Sequence, residues 1–333
     1  MTVAFIPIRK GSKSIPDKNI KDLCGKPLFY WVTKAAYSSG VDKVVLSTDS
    51  HEYADLAIKF FPDIEIHSRS EEVSTDEATT ESVMLEYIEF SGLSDDDVFI
   101  LLQATSPLTI SEDIKGALSK YRKKEFSSLL SVVESKRFTW AQNDSGEFEP
   151  QNYNPQSRPR RQEFFPEYIE NGAIYINSIG NIKKDKCRLS GPSYGSYVMS
   201  EDTYVEIDEP SDWELVESKI KSKAKGRTIY IDIDETICNS KSKHYSDATP
   251  IREAIAKANE LYDSGYTIVY WTARGTVTGI DWTDVTKFQL ERWGAKYHEL
   301  KMGKPAYDLF IDDKNMNSKD WWNNIDDFLK DIE

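Results

Sequence analysis

Short apolar runs that stop at polar residues recur along this chain, with helical patterns between them. Val3-Ala4-Phe5-Ile6 leads to Arg9, Lys43-Val44-Val45-Leu46 to Ser47-Thr48-Asp49, and Val98-Phe99-Ile100-Leu101-Leu102 to Gln103-Ala104-Thr105. Leu28 to Ala36 and Val83 to Phe90 read as intervening helices. Strands that are apolar throughout are buried on both faces, so the pattern predicts an α/β architecture whose parallel sheet carries helices on each side. The polar residues at the strand ends then converge on the carboxyl edge, where such sheets bind ligands.

The pattern breaks twice. Residues 137 to 170 hold Asn, Gln, Pro, Glu and Arg with few apolar residues except aromatics, before the strand Gly172-Ala173-Ile174-Tyr175-Ile176. Such an excursion is expected to lie over the site or to serve as an arm between subunits. The second break is a charged, helix-like stretch from Trp213 to Arg227, closed by Gly226, which reads as a linker. A new βα pattern then begins with Thr228 to Ile233, a helix from Pro250 to Gly265 and a strand from Tyr266 to Trp271, and it ends in Leu309-Phe310-Ile311-Asp312-Asp313. A length of 333 residues exceeds what one core usually serves, so two domains are expected, 1–222 and 227–333.

Charge narrows the possible partners. A net charge of −14 disfavours nucleic acid and anionic membranes, which recruit basic surfaces. The apolar start stops at Pro7 and Arg9, too early for a signal peptide, and no run approaches the roughly 20 apolar residues of a membrane span. Three cysteines, Cys24, Cys187 and Cys238, are an odd number without metal-like spacing and fit a reducing compartment. A soluble, cytoplasmic protein is expected. His51, His67, His244 and His298 are too scattered to suggest zinc, and Trp271, Trp282, Trp293, Trp321 and Trp322 are expected to pack the second core.

Positive charge gathers at Arg9, Lys10, Lys13 and Lys18 around the turn Gly11-Ser12. Backbone N–H groups and cations in such a turn suit a triphosphate, while the absence of Walker spacing argues against an ATPase. A second basic run is Arg158-Pro159-Arg160-Arg161. In Tyr204-Val205-Glu206-Ile207-Asp208 a strand would set Glu206 and Asp208 on one face as oxygen ligands for Mg²⁺. About 220 residues after Arg9, the run Ile229-Tyr230-Ile231 delivers Asp232-Ile233-Asp234-Glu235-Thr236. There one carboxylate can attack phosphorus while the second protonates the leaving group and later activates water.

Residues 3 to 217 resemble the CMP-sialic acid synthetase, or acylneuraminate cytidylyltransferase, family. The resemblance rests on Arg9 with Gly11-Ser12-Lys13 and Lys18-Asn19, on Gly25-Lys26-Pro27-Leu28, on Leu46-Ser47-Thr48-Asp49, on Leu101 to Leu108, and on Pro159-Arg160-Arg161-Gln162 followed by Glu170-Asn171-Gly172-Ala173. It implies a Rossmann-like nucleotidyltransferase domain with a mixed or parallel sheet, using CTP and Mg²⁺ to activate a nonulosonic or related keto-deoxy sugar acid. By that likeness Arg9, Ser12, Lys13, Lys18 and Asn19 hold the CTP phosphates, with Arg9 and Lys13 catalytic. Arg69, Asp76 and Thr79 line the cytosine and ribose side, Gln103, Thr105, Arg161, Gln162 and Asn171 face the sugar, and Glu206 and Asp208 hold the metal. Two departures bear on the acceptor: Glu206 stands where the family usually has Asp, and Thr109 where an arginine often follows Ser-Pro-Leu. The likeness also implies a homo-oligomer, a dimer or tetramer.

Residues 227 to 322 resemble the haloacid dehalogenase superfamily of phosphatases, through Asp232 and Asp234, Thr272 after its strand, Lys304 in Gly303-Lys304-Pro305, and Asp312-Asp313. This implies a smaller Rossmannoid domain with Asp232 as nucleophile, Asp234 as acid/base, Thr272 and Lys304 as phosphate binders, and Asp232, Asp234, Asp312 and Asp313 at Mg²⁺. About 35 residues separate Thr236 from Thr272 and about 30 separate Thr272 from Lys304, too few for a cap domain, so an open site is expected. Together the two resemblances imply a bifunctional enzyme that dephosphorylates a sugar-acid phosphate and couples the free acid to CMP. The alternative is transfer to another acid, a phosphonate or a phosphorylated acceptor, with the C-terminal domain acting on a different phosphate or serving oligomerisation.

Overall fold

The computed structural model describes residues 1–75, 77–123, 125–160, 162–224, 226–240, 245–307, 309, 314–316 and 319–331. The chain divides into two compact units, Met1–Val216 and Glu217–Glu333.

The first unit is built on a seven-stranded sheet of β1 (Thr2–Pro7), β2 (Lys43–Thr48), β3 (Glu65–Ser68), β4 (Val98–Leu102), β5 (Ser128–Ser135), β6 (Glu167–Ser178) and β7 (Tyr194–Met199), in the order β7-β5-β6-β4-β1-β2-β3. β1 pairs in parallel with both β2 and β4, whereas β6 runs antiparallel to β4 and β5, so the sheet is mixed. The uniform apolarity of β1 has a packing cause. Ala4 and Ile6 enter one core with α1 (Leu28–Ser38), α2 (His51–Phe60) and α4 (Ser111–Tyr121). Val3 and Phe5 enter another on the opposite face, with α3 (Thr80–Phe90) and α5 (Ile179–Asp185). Alternate side chains of one strand thus feed two cores.

Two expectations need correction. The stretch 137–170 is more ordered than its composition suggests: Trp140–Gln142 and Phe148–Pro150 form an antiparallel hairpin, and β6 already starts at Glu167. Asn143 closes the hairpin tip, its Oδ1 accepting from the N–H groups of Ser145 and Glu147. Tyr204–Asp208 is not a strand. A 3₁₀ turn at Glu201–Tyr204 is followed by irregular chain, pinned where Ile207 N donates to Thr105 O at 2.8 Å. The linker stretch is helical, as its pattern suggested: α6 runs from Pro210 to Ala224 with a Lys221–Glu217 pair at 2.7 Å on its side, and the units divide within it.

Among the described residues the second unit has a parallel three-stranded sheet, β8 (Thr228–Ile231), β9 (Thr267–Trp271) and β10 (Glu299–Lys301), in the order β8-β9-β10. Ile231, Ile268 and Tyr270 pack with α7 (Arg252–Asp263), α8 (Thr283–Trp293) and α9 (Trp321–Asp331). Trp293 and Trp321 lie in that core and Trp322 against it, while Trp271 contacts Tyr230 and Trp282 contacts Tyr245. No helix among the described residues is long and apolar enough to cross a membrane.

Candidate active sites

At the carboxyl ends of β1, β3 and β4 the first unit opens a cleft of about 400 Å³. Arg9, Ser12, Lys13, Lys18, Asn19, Arg69, Thr79, Gln103 and Thr105, read from distant parts of the sequence, all line it. Four of the described lining residues are cations and none is an acid, although the chain as a whole is strongly acidic. The turn after β1 bends at Gly11, whose φ of +83° suits a residue without Cβ. Asn19 holds that turn from within, its Nδ2 donating to Arg9 O at 3.0 Å, and Tyr53 holds its far side by donating to Asp17 at 2.9 Å. Thr79 caps α3 by accepting from Ser82 N, which places the positive end of that helix on the cleft.

Arg69 is folded back on β2. Its Nε donates to Ser47 Oγ and its Nη2 to Ser47 O, both at 3.1 Å. Burial brings its pKa down to about 10, with Asp49 pulling the other way and Arg9 adding to the drop.

Glu206 accepts from Thr105 Oγ1 at 3.1 Å, and Lys18 Nζ bonds both Ile207 O at 2.8 Å and Asp208 Oδ1 at 3.1 Å. Ser14 Oγ also donates to Asp208 O. Burial raises the Glu206 carboxyl above its ordinary range, with neighbouring Asp208 adding to the rise against the hydrogen bond from Thr105. A Cβ at Gly172 would fall 2.8 Å from the Glu206 carboxyl, so glycine keeps the space that this side chain fills. Glu206 and Asp208 offer oxygen donors of the kind a hard divalent cation such as Mg²⁺ takes, with Lys18 already bonded to Asp208.

Other expected residues lie elsewhere. Asn171 is buried and turned to the core, its Oδ1 accepting from Ser131 Oγ at 2.6 Å and its Nδ2 donating to Thr203 Oγ1 at 3.1 Å, so its amide is not presented to a sugar. Gln162 is exposed and is not among the residues lining the cleft. Asp76 and Arg161 lie outside the described residues, as do Asp312 and Asp313.

In the second unit Asp232 follows β8. Its Oδ1 accepts from Ile233 N at 2.8 Å and its Oδ2 from Lys304 Nζ at 2.7 Å. Burial would lower the Lys304 pKa, but the Asp232 carboxylate outweighs it and the net shift is upward. Asp234 faces a cation the sequence reading missed. Arg274, whose side chain is fully buried, donates Nε to Asp234 Oδ2 at 2.9 Å and Nη2 to Oδ1 at 2.8 Å. Arg274 is held in turn by Gln289 Oε1 at 2.7 Å, Thr286 Oγ1 at 3.2 Å and the ring of Tyr245. Both Asp234 oxygens thus accept from Arg274, so a metal at that carboxylate would share it with the guanidinium. Thr272 is buried as well, with Oγ1 donating to Asp234 Oδ2 at 3.4 Å and accepting from Arg274 N. It braces the two acids' surroundings and does not face outward. The signal for Arg274 was its place two residues beyond Thr272, in Thr272-Ala273-Arg274.

The mixed sheet and its cleft place the first unit in the nucleotidyltransferase-like α/β class. A cytidylyltransferase family model matches residues 3–204, and the chain belongs to that family. N-acylneuraminate cytidylyltransferase B of Danio rerio is 36% identical over 220 residues, which are 65% of this chain and 51% of that protein. The N-acylneuraminate cytidylyltransferase of Streptococcus agalactiae serotype III is 32% identical over 218 residues, 63% of this chain and 51% of its own length. The chain therefore spans about half the length of these curated relatives. Among solved structures, CMP:2-keto-3-deoxy-manno-octonic acid synthetase complexed with CTP superposes with a TM-score of 0.51 over 67% of this chain and 99% of that one, at 19% identity, a likeness of fold alone.

Proposed function

We propose that the first unit transfers CMP from CTP to a keto-deoxy sugar acid of the nonulosonic type, and that the second unit is a phosphatase acting on the phosphorylated form of that acid. The observation that carries the first half is the convergence of Arg9, Lys13, Lys18 and Arg69 on one cleft of nucleotide size. Arg9, Lys13, Lys18 and the N–H groups of the turn would bind the triphosphate. The anomeric oxygen of the acid attacks the α-phosphorus, its bond to phosphorus forms as the bond to pyrophosphate breaks, and its proton passes to solvent. Positioning and charge neutralisation supply most of such a step. Glu206 and Asp208 would hold Mg²⁺, which when bound neutralises triphosphate charge.

In the second unit Asp232 would attack the phosphate monoester, giving an aspartyl phosphate that water then cleaves, with Asp234 oriented by Arg274 for proton transfer and Lys304 drawing the phosphate in. The relatives' names supply the acceptor class, and the acid pair Asp232 and Asp234 on one strand end supports the phosphatase. The arm at 137–170 supports assembly between copies, since Trp140, Phe148 and Phe165 on it are exposed.

Incubation with CTP, Mg²⁺ and keto-deoxy acids, each with and without a terminal phosphate, followed by mass spectrometry tests both halves. Unphosphorylated CMP-sugar should form from the phosphorylated acid only with intact Asp232. CMP transfer with the phosphate always retained would sink the coupled reading, and no CMP product from any acid would sink the transferase.

A further inference from the structure

Behind the guanidinium of Arg69 lies a chain of buried and half-buried groups that the reaction above does not use. Ser47 Oγ accepts from Arg69 Nε at 3.1 Å and lies 2.9 Å from His67 Nδ1, and His67 Nε2 lies 3.3 Å from Glu86 Oε2. The order Ser–His–Glu resembles a hydrolytic triad, but Ser47 is fully buried, so no substrate carbonyl can approach it. Arginine only donates, so Ser47 Oγ receives from Arg69, and its O–H and second lone pair allow the contact with His67 Nδ1 to run either way. The Glu86 carboxylate can only accept, so its approach to Nε2, an ion-pair contact and not an aligned hydrogen bond, favours the proton on Nε2 and leaves Nδ1 to accept from the Ser47 hydroxyl. Burial, with Arg69 adding, lowers the His67 pKa against the opposing pull of Glu86, in keeping with this neutral tautomer.

Glu86 ties the chain to the cleft a second time. Its Oε1 accepts from Ser70 N at 3.0 Å, so one carboxylate on α3 bonds the residue after Arg69 while its other oxygen lies beside His67. The same helix presents Thr79 and Thr80 to the cleft at its other end. We propose that Glu86, His67 and Ser47 form a positioning relay that sets Arg69 for the nucleotide, with His67 as its polarity-determining member. The proposal rests on the reading of the cleft as a CTP site.

The test is calorimetric titration of CTP with Mg²⁺ into the full chain. It compares the parent, Arg69→Ala, His67→Leu, His67→Asn, and His67→Leu combined with Arg69→Ala, with circular dichroism and thermal melting on each. Asn can offer its Oδ1 to the Ser47 hydroxyl in place of Nδ1, whereas Leu cannot. His67→Leu should raise the CTP dissociation constant about tenfold, the size of one lost hydrogen bond to a charged group. His67→Asn should recover most of that loss, and His67→Leu should add nothing once Arg69 is already Ala. An equal rise from His67→Leu in the Arg69→Ala background, no rise from it in the parent, or no rescue by Asn would overturn the relay. Should His67→Leu not fold, failure of His67→Asn to bind as the parent does overturns it by itself. CTP binding unchanged by Arg69→Ala also overturns the relay, whereas no CTP binding by the parent would remove the CTP reading of the cleft, a distinguishable failure.

Discussion

The two candidate sites hold similar groups in opposite states of readiness. In the first unit the described cleft walls carry four cations and no acid, with Asp208 paired to Lys18 and Asp49 acting on Arg69. In the second unit Asp232 has Lys304 and Asp234 has Arg274. The walls of the first site thus carry an excess of cations for an anion to meet. At the second, both of these described acids are matched by a cation, and a phosphate must compete with Asp232 for Lys304. Long-range attraction of an anionic substrate is expected at the first site and local exchange of partners at the second.

The sharpest way to break this comparison is Asp232→Asn. It should lower phosphatase turnover on the order of 10³-fold or more, since a nucleophile is lost, while CMP transfer is unchanged. Parallel assays of phosphate and pyrophosphate release check it, and a loss in both would show that the sites are not independent. Lys13→Ala should lower kcat/KM for CTP by about 10² to 10³, the cost of one charge-stabilising group, and should flatten the dependence of KM on ionic strength. Phosphatase rates should not move.

Arg274→Leu probes the second site from its buried side. Asp234 keeps its burial and loses its cation, so the second unit should lose about 3 kcal/mol of stability, read as a shift of its own transition in scanning calorimetry. The smallest effect concerns Glu206. Its carboxyl is raised in the folded chain, so ionising it costs stability, a cost absent below the ordinary carboxylate range and complete above the raised value. Glu206→Gln should therefore raise Tm by roughly 2 °C in metal-free buffer at neutral pH, with the gain vanishing in acid, while lowering Mg²⁺-dependent transfer. A pH-independent gain would mean that packing, not charge, is relieved.

Much of the first site was legible because its residues sit at the ends of apolar strands, and strand ends in a parallel arrangement meet at one edge. Arg9, Gln103 and Thr105 follow from that rule alone. Asn171 did not, because its place beside Gly172 says nothing about which way the side chain turns, and Ser131 and Thr203 turn it inward. The Tyr204–Asp208 segment misled by alternation: Ile207 is buried between Glu206 and Asp208 without a strand, since one backbone bond to Thr105 anchors the loop. Arg274 was missed because a buried arginine looks like a surface one in sequence, and only its two-point grip on Asp234 reveals it.

The sequence by itself determined the alternation of apolar strands and helices, the gathering of cations around Gly11 and the pair of acids at Asp232 and Asp234, because periodicity and spacing are local properties of a chain. The tertiary structure alone decided that β6 enters the sheet antiparallel, that Asn171 and Thr272 face inward, and that Ser47, His67 and Glu86 line up behind Arg69. Those outcomes depend on which donors meet which acceptors across dozens of residues, and hydrogen-bond direction is settled only when the partners are in place.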